Sequence, residues 1–393
     1  MINNNYQFHT YFTLFSYYSK KGVILKKIIK KIHLYLGLVF SLFLILIGTT
    51  GAILSYEKEI LELINPQVYN LDYKNKEKLD KKILFENLEK NHDFQIVAIR
   101  FYENPSKPIV LVTPAAEDSN SNRKVLLNVN PYTGELLPPI RGKMFFTYAR
   151  YIHLDLLLGK VIGKNIVAIS TIVLIILSIS GLYLYAKPLI HNFKSAMKIN
   201  FSSNGKRLYY KLHTVFGIYF LVAFLIMSLS GLFWSYDWFK KGVYSLANVE
   251  MPPSRVVSTN VTPKKRENNP LDMEQTLKAL EIFENSINSN YHEFTIRKNR
   301  NSDTFKVSYL EKNYPHSKAF NTMDVNPIKN EITSHEKYED LKIGEKVINS
   351  MLPIHSGEFF GSFFQIIFLI ASLSLSMFAI TGFLLYKKTR RNI

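Results

Sequence analysis

Four of the ten histidines in this 393-residue chain, His33, His153, His213 and His355, recur in matched surroundings. Lys31-Ile-His33-Leu-Tyr-Leu-Gly37 aligns without gaps on Lys211-Leu-His213-Thr-Val-Phe-Gly217. Ile152-His153 and Ile354-His355 are each followed six residues later by a glycine, Gly159 or Gly361. A neutral imidazole is a good axial ligand for haem iron, and two opposed imidazoles give a six-coordinate centre suited to electron transfer. There is no cysteine, which excludes disulfides, thiolate-held iron–sulfur clusters and covalent c-type haem attachment. A redox metal in this chain must rest on His, Met, Tyr or carboxylate, or sit inside a non-covalent cofactor.

The elements that carry these histidines are four long uncharged runs: Leu34–Tyr56, Asn165–Ala186, Leu212–Tyr236 and Phe359–Tyr386. Each exceeds the ~20 residues a helix needs to cross about 30 Å of hydrocarbon. Backbone in lipid must satisfy its own hydrogen bonds, so runs of this length are helices. Basic clusters flank them. Lys20, Lys21, Lys26, Lys27, Lys30 and Lys31 precede the first run, and Lys187, Lys194, Lys198, Lys206, Arg207 and Lys211 fill the link between the second and third. Lys387, Lys388, Arg390 and Arg391 follow the fourth. If the runs alternate, all three clusters fall on one side, and positive charge marks that side as cytoplasmic. The net charge of +18 therefore reads as topology and attraction to anionic lipid rather than as a nucleic-acid footprint. The first run is too long for a signal-peptide core and is expected to be a retained anchor.

The chain reads as two copies of span, outer domain, span, in the same orientation. That predicts a pseudo-twofold axis along the membrane normal. His33 and His213 then share one height and His153 and His355 the other, each pair drawing one ring from each half. Four residues after the first-named two, Gly37 and Gly217 would relieve crowding where a flat macrocycle lies against the helix. Each span also ends in a hydroxyl–glycine step, Thr50-Gly51, Ser180-Gly181, Ser230-Gly231 or Thr381-Gly382, read as a close helix contact. From His153 to Tyr185 and from His355 to Tyr386 is roughly 48 Å of helix. The outer pair lies within the membrane only if the helices tilt or break near Gly159, Gly163, Gly357 and Gly361. His191 has no counterpart and reads as surface; His9, His92, His292, His316 and His335 also lack partners.

Between the spans lie two segments with a helix followed by strands, each expected to be a small α+β module. The first has a helix at Asp80–Asn91 and strands at Ile96–Phe101, Ile109–Thr113 and Val125–Val129; the second has a helix at Met273–Asn288 and strands at Glu293–Arg297, Thr304–Tyr309 and Met323–Ile332. Met251–Pro270 reads as a linker. No HExxH, phosphate-binding glycine loop or Ser/His/Asp spacing occurs. The expected organisation is a basic N-terminal segment 1–31, a first span 32–56, an outer domain 57–150 and a His-bearing second span 151–186. A basic link 187–211, a third span 212–236, a second outer domain 237–352, a His-bearing fourth span 353–386 and a basic tail 387–393 follow.

These motifs resemble those of the PepSY-associated transmembrane proteins, which include iron-regulated inner-membrane proteins and ferric-siderophore reductases of Gram-negative bacteria. The carriers are Ile32-His33-Leu-Tyr-Leu-Gly37 with Gly48-Thr-Thr-Gly51, Ile152-His153-Leu-Asp-Leu-Leu-Leu-Gly159, Leu212-His213 with Ser230-Gly231, and Ile354-His355-Ser-Gly-Glu-Phe-Phe-Gly361. Val129-Asn-Pro-Tyr-Thr-Gly-Glu135 and Asp324-Val-Asn-Pro327 resemble PepSY strand-turn endings, the second with Lys329-Asn330 in place of Thr-Gly. The resemblance covers about 26–390. It implies an α-helical integral protein of the bacterial inner membrane with both termini cytoplasmic and periplasmic PepSY-like domains. It further implies two bis-His haem b groups and a siderophore-type ferric chelate as substrate, reduced with electrons from an unidentified cytoplasmic-side donor. Monomer and homodimer both stay open. The rival readings are a cofactor-free PepSY protein that restrains a peptidase or senses a ligand, and a transporter. Against the transporter, the spans hold no Asp, Glu, Lys or Arg to mark an ion path.

Overall fold

The structure is a computed structural model that describes residues 4–91, 94–114, 124–252, 269–288, 290–300 and 302–390. His92 and 253–268 of the expected linker lie outside them. In chain order the helices that matter for the site are α1 (Asn4–Leu54), α2 (Lys81–Asn91), α3 (Lys143–Asp155), α4 (Lys164–His191), α5 (Lys206–Tyr219), α6 (Leu221–Ser235), α7 (Met273–Ile287), α8 (Met351–Ser356) and α9 (Ser362–Arg390). The strands are β1 (Ala98–Tyr102), β2 (Ile109–Pro114), β3 (Lys124–Val129), β4 (Glu293–Lys298), β5 (Phe305–Leu310), β6 (Asn321–Asn326) and β7 (Glu331–Glu336). They divide between a helical unit, Met1–Ser55 with Phe146–Lys240 and Ile354–Ile393, and a sheet unit, Tyr56–Phe145 with Lys241–Pro353.

Among the described residues, three helices are long and apolar enough to cross a membrane: Val23–Leu54, Gly159–His191 and Ser362–Lys388. The third apolar run of the sequence is instead α5 and α6, which meet at a 60° bend, and counted as one span they bring the total to four. No proline falls in this run. Gly217 lies in the last turn of α5, yet Gly37 at the matching place leaves α1 unbroken, so a weak helix former alone does not explain the bend. Small residues set the closest helix approach. A Cβ on Gly48 of α1 would stand 2.6 Å from the Ser372 carbonyl oxygen of α9, and the Ser372 hydroxyl donates to the Gly48 carbonyl at 3.0 Å. Ala223, Phe224, Phe368, Ala371 and Leu375 form the buried cluster of the bundle.

Both long His-bearing segments break where length demands it. After α3 the chain turns through Leu156 and Leu157 at φ 53° and 60°, enters a single π-turn at Gly159–Gly163, and only then starts α4. A Cβ on Gly163 would fall 1.6 Å from the Asp155 carbonyl oxygen, so this turn admits only glycine there. After α8 the chain passes Gly357 at φ 84° and Gly361 at φ 93° before α9 begins.

The sheet unit is one antiparallel sheet in the order β3-β2-β1-β4-β5-β6-β7. The strands of the two outer segments are joined in it by β1 and β4, with Phe101 opposite Phe294 and their rings stacked at 4.9 Å. Alternating positions such as Ile99, Phe101, Phe294, Ile296, Phe305, Val307 and Met323 bury one face beneath Leu84, Phe85 and Leu88 of α2 and Leu280 and Phe283 of α7. An ion pair of Lys81 with Glu284 links the two helices. The two strand-turn endings solve one backbone problem with different residues. Gly134 sits at φ 75° after Asn130-Pro131, and Asn330 takes a left-handed φ of 52° after Asn326-Pro327. In each turn the Asn side chain accepts a backbone N–H two residues on, from Tyr132 or Ile328.

Candidate functional site

The helical unit brings the four recurrent histidines together as two pairs. His33 of α1 and His213 of α5 have ring centroids 6.1 Å apart at an interplanar angle of 72°. His153 of α3 and His355 of α8 stand 6.2 Å apart at 65°. Each ring is half-buried. On α1, His33 lies fourteen to eighteen residues from the positions that contact His153, a rise of roughly 21–27 Å along the helix. The two pairs therefore sit near opposite ends of the bundle.

Each ring rests on the hydroxyl–glycine step of a different helix. His33 Nδ1 is 2.8 Å from the Ser180 hydroxyl of α4. His213 Nδ1 is 3.0 Å from Thr381 of α9, and His355 Nδ1 is 3.0 Å from Ser230 of α6. His153 Nδ1 donates to the Ile47 carbonyl of α1 at 2.9 Å, with the Thr50 hydroxyl at 3.4 Å. The hydroxyls are themselves buried and send their single protons back along their own helices: Thr50 to Leu46 and Ser230 to Ile226 at 2.6 Å, and Thr381 to Met377 at 2.7 Å. An oxygen whose proton is committed to a carbonyl can only accept from the imidazole. At His153, His213 and His355 this puts the ring proton on Nδ1 and leaves Nε2 its lone pair; at His33 the Ser180 hydroxyl has the Leu177 carbonyl as its own acceptor at 3.2 Å, which allows the same arrangement.

The glycine of each step lies under the Cε1 edge of the ring. A Cβ would stand 3.0 Å from Cε1 of His153 at Gly51, 3.3 Å from that of His33 at Gly181, 3.3 Å from that of His355 at Gly231 and 3.6 Å from that of His213 at Gly382. Sequence reasoning read these steps as plain helix contacts. Their signal was present, one step per span, but its meaning needs the pairing of helices. Gly37 and Gly217 lie against Leu177 and Phe378 instead, where a Cβ would meet each at 3.8 Å. Aromatic edges complete the surroundings, with Phe378 5.2 Å from His213 and Trp234 5.7 Å from His355.

The donor set can be tested against a haem. An imidazole nitrogen binds a metal at about 2.0–2.1 Å and lies ~1.1 Å from its ring centroid, so two rings on opposite faces of one metal stand about 6.3 Å apart. Both pairs, at 6.1 and 6.2 Å, fit that separation. A bare ion would need more donors than two rings, and among the described residues no group of three or more His, Cys, Asp or Glu converges. Haem brings four nitrogens of its own and asks the protein for two.

Three of the other histidines have separate settings. His191 is exposed at the end of α4, where Nδ1 is 2.9 Å from the Lys187 carbonyl oxygen. In the sheet unit His316 Nε2 lies 2.8 Å from Ser350 Oγ, a contact that has the look of a nucleophile and its base. It lacks the chemistry. Ser350 gives its proton to the Lys346 carbonyl at 2.6 Å, and His316 Nδ1 accepts the Lys318 N–H at 3.2 Å. Nε2 is then protonated and cannot take a proton from serine. His335, 2.8 Å from the Tyr309 hydroxyl, is held below the usual imidazole range, first by burial and then by Lys337.

Residues 30–388 match the family described as the PepSY-associated TM region. No curated protein matches the chain.

Proposed function

The chain belongs to the PepSY-associated TM region family, and from that premise we propose that it is a multi-pass inner-membrane electron carrier. In this reading it binds two haem b groups and reduces a ferric chelate of siderophore type outside the membrane. The observation that carries the reading is the pairing of His33 with His213 and of His153 with His355 at the separation one haem iron requires. In this reading α5 and α6 form one bent span, the two halves of the chain are a duplication, and the pseudo-twofold relates the rings within each pair. Segments 16–31, 187–211 and 387–393 carry Lys and Arg but no Asp or Glu, which supports a cytoplasmic side for them and, in this reading, for the end of the bundle with His33 and His213.

His33 and His213 would hold the inner group and His153 and His355 the outer one, each through Nε2. When bound, haem supplies reversible one-electron chemistry between ferric and ferrous iron. The lack of cysteine leaves binding to these ligands and to packing alone. Phe224, buried with Ala371 and Leu375, packs its ring 5.7 Å from that of half-buried Phe378, which itself lies against His213, so this apolar packing would limit water beside that ring. Outer-sphere electron transfer asks for no acid or base at these rings. The ferric chelate is the substrate, and its reduced iron is held more weakly by hard oxygen donors.

The function is tested in proteoliposomes that enclose a reductant and face an external ferric hydroxamate with a ferrous-specific dye. Ferrous iron should appear outside at a rate that depends on the chain, and His33→Ala and His355→Ala should each abolish it. A rate unchanged in both variants would contradict the reading.

A further inference from the structure

The same hydroxyl–glycine step lies beneath all four rings, although the four rings reach it from different elements: α1 onto α4, α5 onto α9, α3 onto α1 and α8 onto α6. Helix packing alone does not require this. A Ser or Thr that only satisfied its own helix would make its i−4 carbonyl bond and point no lone pair at an imidazole. A glycine that only allowed close helix approach would face backbone, as Gly48 does against Ser372. These glycines face the Cε1 atom of a histidine.

We infer that Thr50-Gly51, Ser180-Gly181, Ser230-Gly231 and Thr381-Gly382 are positioning residues of the imidazole pairs. The hydroxyl, joined by the Ile47 carbonyl at His153, holds Nδ1 protonated, while the glycine makes room for Cε1. Nε2 is then the one nitrogen free to bind metal. This rests on the haem reading for its purpose, but not for its geometry. The Nδ1–H form is the less common tautomer of a free imidazole in water, so the buried acceptors are what would select it at these sites. The glycine distances rank the sites. At Gly51, where a Cβ would come within 3.0 Å of Cε1 and 3.4 Å of Nδ1, alanine must displace His153. At Gly382 the 3.6 Å approach is ordinary contact, so alanine there should disturb His213 least. Gly181 and Gly231 fall between.

The experiment uses the full chain in detergent. In the haem-free chain labelled with ¹⁵N-histidine, the four rings should give signals of protonated Nδ1 and bare Nε2. Thr381→Val should remove that signature from His213 and Thr381→Ser should keep it. In the haem-loaded chain Thr381→Val and Ser230→Ala should each speed haem loss to a haem-scavenging protein by about 10–100-fold and shift the midpoint potential of one haem. Thr381→Ser should restore both values. Gly51→Ala should speed haem loss from its site by more than Gly382→Ala does from the other. Wild-type rings protonated at Nε2, or a Thr381→Val chain with wild-type haem loss and potential, would overturn the inference. A chain with the Nδ1–H signature that takes up no haem would sink the haem reading alone.

Discussion

Removing one imidazole of a pair leaves its partner with nothing opposite, so the loss should follow pairs rather than single residues. His33→Ala and His213→Ala are each expected to lower haem content from two per chain to one, and the double variant to lower it no further. His153→Ala and His355→Ala should cost the other haem. Haem per chain by pyridine haemochrome checks this, and a His33→Ala/His153→Ala variant that still held a haem would contradict the assignment. The four histidines were legible in the sequence because each recurs with its glycine at fixed spacing. Their seats were not. His33 is bonded to Ser180, 147 residues away, and nothing local in either segment says that these two meet. The hydroxyl–glycine steps could therefore be seen, but only the packed helices show that their open sides face imidazoles.

At the scale of elements, the turns that end α3 and α8 carry the outer pair. Gly163 admits no side chain because its Cβ would overlap the Asp155 carbonyl, so Gly163→Ala should dismantle the turn and release the outer haem while the inner site remains. Haem content and reduced spectrum would show a loss confined to one centre. Gly357 sits at φ 84°, where an L side chain costs about 1–2 kcal/mol, so Gly357→Ala should lower the melting temperature and loosen the same site. Conversely, Leu156 and Leu157 already occupy that region, and Leu157→Gly should cost little stability beyond its lost packing. A break near these glycines was one of the alternatives the sequence left open, beside tilt or an outer pair above the lipid, since more than thirty residues from His153 to Tyr185 overrun a bilayer if wholly helical. The bend between α5 and α6 could not, because the run is apolar throughout and has no proline. The pairing of β1 with β4 was equally hidden, since strand alternation shows which face is buried but not which distant strand lies alongside.

For the whole molecule, the account requires that the basic segments share one side and the sheet unit the other. The natural absence of cysteine makes this simple to test. In intact cells Glu86→Cys should react with a membrane-impermeant maleimide, while Ser202→Cys should react only after lysis; the reverse pattern would invert the direction of electron flow. That orientation is what the charge pattern predicts, while the merging of two outer segments into one sheet had no signal in the sequence. Everything functional still depends on iron held between paired rings. The most direct measurement is the absorption spectrum of the purified chain, air-oxidised and then dithionite-reduced, with haem counted per chain. The account predicts two haem b groups, both six-coordinate and low-spin, with sharp α and β bands on reduction. A colourless chain after expression with haem supplied, or haem that is five-coordinate and high-spin at both sites, would contradict it.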